Sequence, residues 1–152
     1  MALLVSLKGR DAQPFHEGNG ALERSTWEDS SLRAWLNNDF LSAAFDSADR
    51  QALCASGDSG TDLIFLLSEE EADMLSDDDL LCEASRYAQR TRLAALNNNH
   101  GSWWLRSPAS GQTIALTVSA EGGIGETQSV NAAGVMVRPA CLAAVSALTK
   151  AE

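Results

Sequence analysis

Paired cysteines, basic charge and long apolar runs are all scarce in this 152-residue chain, and each shortage removes a class of function. Cys54, Cys82 and Cys141 are widely spaced, form no CxxC or Cys/His metal pattern, and are odd in number, so no complete disulfide framework is encoded. They read as buried, reduced thiols. Eleven Lys and Arg stand against 21 Asp and Glu, a net charge of −10. That balance repels phosphate backbones and anionic membranes, so nucleic acid is not an expected partner. The apolar run of the opening MALLVSLKGRD is far shorter than a signal-peptide core and has no preceding basic residues. Neither export nor membrane insertion is expected, and the chain as it stands reads as cytoplasmic unless it is a processed or trimmed part of a longer protein.

Catalytic signatures are missing too. His16 and His100 lie far apart and outside any nucleophile motif, and Ser107 lacks the glycine-flanked elbow that exposes a catalytic serine. Glu121-Gly122-Gly123-Ile124-Gly125 has neither the lysine nor the following helix of a phosphate loop, and its glycines read as turn chemistry. The run Asp77-Asp78-Asp79 lacks the alternating ligands, glycine and closing glutamate of a calcium loop. No metal and no cofactor are expected.

What the chain has is an ordinary globular composition, 45% hydrophobic, at a length that fits one domain over residues 1–152. Ala2 to Leu7 predicts a strand. In TWEDSSLRAWLNNDF, Leu32, Trp35, Leu36 and Phe40 recur at helical spacing behind Ser30 and Ser31 as N-cap candidates, with Trp27 closing over the start. Ser47 is the candidate cap of a short helix carrying Ala48, Ala52 and Leu53. Gly57 to Gly60 predicts a turn, and LIFLL at Leu63 to Leu67 a fully buried central strand. Ser68 with Glu71 forms a capping box opening another short helix. Ala84 to Leu96 predicts a helix, Ile114 to Val118 a strand, Glu121 to Gly123 a turn, Ser129 to Val137 an extended run, and Ala140 to Leu148 a closing strand or short helix.

The most constrained stretch is Ser102 to Pro108, SWWLRSP. In an extended segment Trp103 and Leu105 share one face while Trp104 and Arg106 share the other, so one tryptophan is core. Pro108 removes a donor and ends the strand; Val137-Arg138-Pro139-Ala140 reads as a partner strand with the same kind of ending.

Four motifs in series, T-W-E-x-S-x-L-R-x-W-L-N at 26 to 37, L-L-S at 66 to 68, W-W-L-R-S-P at 103 to 108 and V-R-P-A at 137 to 140, resemble the uncharacterised bacterial domain-of-unknown-function family 6273. The likeness runs from Ala2 to about Leu142, with Met136-Val137 standing in a closing motif that is normally G-V-R-P-A. That family is similar to the C-type-lectin-like fold of formylglycine-generating-enzyme-type domains and of the variable proteins of diversity-generating retroelements. The resemblance implies an α+β fold, two main helices flanking a small, twisted, mainly antiparallel sheet. It also implies an exposed ligand face between the two arginine-proline motifs, drawing on Ser110, Gln112, Thr113, Thr117, Ser119, Glu121, Glu126, Gln128 and Asn131. Trp103, next to the Asn97 to His100 loop, is added to that face. Trp27, Arg33, Trp35, Trp104, Arg106 and Arg138 are assigned to holding the fold. The expected function is non-catalytic recognition of a protein or glycan. The alternatives are an enzyme of the formylglycine-generating type, which needs thiols brought together in one place, and an assembly module of a phage or surface protein.

Overall fold

A single serine side chain fixes where the first helix begins. The structure, a computed structural model, describes residues 2–17, 24–55, 60–91, 96–97 and 100–144. Three short strands, β1 (Ala2–Val5), β2 (Lys8–Gly9) and β3 (Asp11–Ala12), precede α1 (Ser31–Trp35). Ser30 Oγ accepts the Arg33 N–H at 3.1 Å, which supplies the N-cap. α1 continues without a break through a π-helical turn, Leu36–Phe40, into α2 (Leu41–Ala44). Leu32, Leu36 and Leu41 are buried, whereas Trp35 and Phe40 are half-buried. The expected helix is present, but Trp35 is not its core anchor, because the extra residue in the π turn hands the inward position after Leu36 to Leu41 rather than Phe40. Asp62, itself buried, ties the start of α1 down: its carboxylate accepts from Trp27 Nε1 at 3.0 Å and from Arg33 Nε at 2.8 Å. In α3 (Ser47–Gln51) the cap is Asp46, which accepts from the Asp49 N–H, and not Ser47; Leu53 belongs to β4 (Leu53–Cys54).

The LIFLL run is buried from Ile64 to Leu67, with Leu63 half-buried, but is not a strand in a sheet. Only Phe65 pairs, with Ala140. Side chains take the places that a neighbouring strand would occupy: Asn37 Oδ1 accepts from the Leu63 and Ile64 N–H groups, and its amide donates to the Ile64 carbonyl at 2.8 Å. Arg106 covers the far end, its N–H donating to Leu67 O and its guanidinium to Leu66 O. Buried backbone groups need partners of some kind, and here they come from two motifs outside the run. Ser68 and Glu71 then form the capping box of α4 (Glu69–Asp73). Ser76 caps α5 (Asp77–Leu80), so the aspartate run fills a helical first turn, where carboxylates face the positive end of the peptide dipoles.

β5 (Glu83–Ala84) and α6 (Arg86–Thr91) replace the start of the helix expected over Ala84 to Leu96. Glu83 and Ala84 are held in strand pairing with Lys8 and Gly9, and Ser85 Oγ accepts from the Ala88 N–H, which starts the helix one residue later. Leu96 lies in β6 (Leu96–Asn97), antiparallel to β7 (His100–Gly101). The remaining strands are β8 (Trp103–Trp104), β9 (Ile114–Val118), β10 (Ile124–Ser129), β11 (Met136–Val137) and β12 (Ala140–Ala143). The extended run expected over Ser129 to Val137 is thus displaced. Gly122, with φ of 91°, a region open to glycine, sits in the turn that sends the chain back early, with Ser119 N–H donating to Gly123 O, and Gly125, with φ of 93°, sits at the register irregularity of β10. The expected turn at Gly57 to Gly60 and the segment after Ala144 lie outside the described residues, apart from Gly60 itself.

Among the described residues three sheets form, ordered β1-β12-β4, β10-β9-β8-β11-β3 and β2-β5-β7-β6. The pairs β8/β11 and β2/β5 are parallel and the rest antiparallel, so the architecture is mixed α+β with short helices. One apolar cluster runs from Phe15 to Cys141 through both Trp103 and Trp104. Among the described residues no helix is long and apolar enough to cross a membrane.

Candidate functional site

After Trp104 the chain leaves its ladder and circles a cleft before entering β9. Arg106 sits at the base of that loop, donating to Glu71 and to Leu66 O with its guanidinium 5.3 Å from the Phe65 ring centre. Ser107 Oγ accepts the Glu69 N–H at 2.8 Å, and the Ser25 N–H donates to Gln112 O at 2.7 Å. The loop is therefore moored at both ends and open between them. The cleft it encloses measures about 430 Å³. Phe15, Trp27, Ala109 and Ile114 give it an apolar lining, and Thr26, Glu28, Ser110 and Gln112 a polar rim.

The ten residues expected on the ligand face do not share one site, and only two of them line the cleft. Ser110 and Gln112 are exposed on the rim of the cleft. Thr113 and Asn131 lie beside it, because Thr113 O accepts the Val130 N–H and brings the turn after β10 alongside. Glu126 and Gln128 line β10, the outer strand of its sheet, with the Gln128 amide donating to Ser102 Oγ at 3.2 Å. Glu121 is exposed at the opposite end of the hairpin.

Trp103, Thr117 and Ser119 are corrections: all three are buried. They fall outside the face implied by the resemblance because β9 lies between β10 and β8 and Ala115 to Val118 are all buried, whichever way they point. Thr117 Oγ1 donates to Glu126 O at 3.2 Å, and Ser119 Oγ accepts the Gly123 N–H at 2.9 Å, locking the turn. Trp103 donates its indole N–H to Leu80 O at 3.1 Å and carries the Arg138 guanidinium 4.8 Å from its ring centre. Conversely, Thr26 and Glu28 form a wall of the cleft that sequence reasoning treated only as the approach to a helix.

Electrostatics at the base of the loop give a direct test. Burial alone raises the Glu71 pKa, but the Ser68 N–H and the Arg106 guanidinium outweigh it and hold the carboxyl below its usual value. A depressed acid stabilises the fold above the unfolded carboxylate pKa of about 4.3, and this contribution disappears as pH falls through the lower folded value. Glu71→Gln should therefore lower stability by about 1 to 3 kcal/mol at neutral pH and flatten the acid side of the stability profile. Denaturant melts from neutral to acidic pH would show this, and parallel profiles for parent and variant would refute it.

Among the described residues no group of three or more His, Cys, Asp or Glu is placed to hold a metal ion. A family model described as a domain of unknown function matches residues 5–144. No curated protein and no solved structure matches the chain.

Proposed function

The chain belongs to the domain-of-unknown-function family DUF6273, and we propose that it is a non-catalytic recognition module of C-type-lectin-like fold that binds a protein or glycan ligand at the cleft beneath the 106–113 loop. The observation that carries this reading is the pairing of an apolar lining with a rim of hydroxyl, amide and carboxylate groups. Such a lining suits a glycan in particular, whose rings have one apolar face and a periphery of hydroxyls. Arg106 is engaged with Glu71 and Leu66, so it positions the loop and leaves recognition to the rim.

The cysteines favour recognition over chemistry of the formylglycine-generating type. Cys54 pairs with Leu142, which puts the neighbouring Cys141 on the opposite face of that sheet, while Cys82 lies in the core near Arg138. Burial pushes the thiols of Cys82 and Cys141 up, away from the reactive thiolate. The assembly reading keeps one observation in its favour: Leu3, Leu4 and Leu7 are exposed on and just after β1, an edge strand among the described residues.

Gln112→Ala is the variant that separates ligand rim from scaffold. Its side chain is exposed and its mooring uses the backbone carbonyl, so stability should change by less than about 0.5 kcal/mol. Binding of the parent to a glycan and surface-protein array, followed by titration calorimetry on any hit, should show the variant weakened by about tenfold or more. A variant that binds normally, or one that melts far below the parent, would remove the cleft from consideration.

A further inference from the structure

One extra residue in the first helix sets two aromatic rings side by side on its surface. In a regular α-helix residues four apart share a face. Across the π turn the Leu41 N–H reaches back to Leu36 O, five residues earlier, and Trp35 and Phe40 meet with ring centres 5.5 Å apart. Both are only half-buried. Single π turns inside α-helices are rare and recur at functional sites.

Both rings line a cleft of about 610 Å³ that Arg10, Arg86 and Tyr87 also line. Neither arginine carries an ion pair among the described residues, a state they share with Arg24 and Arg50. Arg33 and Arg106 are paired with carboxylates, and Arg138 is enclosed by carbonyls. Arg10 uses only Nε, on Ser6 Oγ at 3.1 Å, and among the described residues Arg86 has neither an ion pair nor a side-chain hydrogen bond. Asp39 also lines the cleft, unpaired with either guanidinium among the described residues. In a chain of net charge −10, two uncommitted cations therefore share one cleft with three aromatic side chains. A guanidinium fork takes a carboxylate through two parallel bonds, and aromatic faces take a flat ring at low entropic cost.

We propose that this cleft is a second ligand site, for a small aromatic carboxylate whose ring lies against Trp35 and Phe40 and whose carboxylate is held by Arg10 and Arg86. It shares no lining residue with the cleft under the 106–113 loop, so the two sites stand or fall separately.

The probe is 1-naphthoate, with the uncharged 1-naphthalenemethanol beside it. Titration calorimetry should show naphthoate binding at least about tenfold more tightly than the alcohol, and Arg10→Gln and Arg86→Gln should each weaken it by about tenfold, the size of a lost charge-assisted contact. Gln112→Ala, in the other cleft, should leave naphthoate affinity unchanged. Magnetic resonance of the indole N–H groups locates the ligand independently. Trp27, Trp103 and Trp104 are buried with their indole N–H groups bonded to Asp62, Leu80 and Gln13, so the Trp35 signal alone should shift. Both arginines are exposed, and a thermal melt of each variant will show it folded. Equal affinity for acid and alcohol, unchanged affinity in both arginine variants, a shift at any other indole, or no binding at millimolar naphthoate would each overturn the proposal.

Discussion

Trp103→Ala should lower the free energy of unfolding by about 3 to 5 kcal/mol, the usual loss when a buried aromatic is truncated, and thus a large part of the stability of a domain this size. The side chain is completely enclosed. Three separate arrangements depend on it. Its backbone joins β9 to β11 through β8, its indole N–H satisfies the end of α5 at Leu80 O, and its ring supports the Arg138 guanidinium. Alanine would leave a cavity, an unpaired carbonyl and a cation without its aromatic platform. Trp103→Phe keeps much of the volume but not the donor and should cost less. Guanidinium denaturation of both variants measures the difference, and a loss below about 1 kcal/mol for alanine would show that the ring is not packed as described.

The features legible in the sequence were those decided within a few residues. Ser30 ahead of α1 and the reciprocal Ser68–Glu71 cap are local hydrogen-bonding patterns, and the structure has both. Glycines at 122 and 123 announced a reversal, although which residues flank it depends on the β9–β10 register and its irregularity between Ile124 and Glu126. The π turn was not legible. Leu32, Leu36 and Phe40 fit an ordinary helical spacing, and only packing against the core reveals that Leu41 takes the inward place. The same limit explains LIFLL. An apolar run states that a segment is buried, but not that Asn37, 27 residues away from Ile64, will stand in for a neighbouring strand. At the candidate site, Ser110 and Gln112 were reached through the family resemblance, and they line the cleft because the loop that carries them leaves the sheet there. Trp103, Thr117 and Ser119 could not be separated from them in the sequence, since alternation along a strand says nothing about whether its second face is covered.

Arg138→Lys should lower stability by about 1 to 3 kcal/mol although the charge is retained. Arg138 is 2% exposed and lies where the chain passes from β11 to Pro139. Its Nε donates to Ser6 O at 2.7 Å and its Nη1 to Asp79 O at 2.6 Å, carbonyls from two distant parts of the chain. The planar fork reaches both while lying over Trp103; an ammonium on a flexible stem cannot hold the same two directions and stack as well. Burial presses the Arg138 pKa down, with Cys82 and Asp79 partly opposing, yet a guanidinium stays protonated where a buried lysine is prone to lose its proton. Arg106 provides the internal comparison. It is paired with the carboxylate of Glu71 as well as with Leu66 O, so Arg106→Lys keeps an ion pair and should lose less. Denaturant midpoints of the two lysine variants, read beside ligand binding, decide the matter. A full-strength fold with abolished binding in Arg138→Lys would move this arginine from the scaffold to the ligand site.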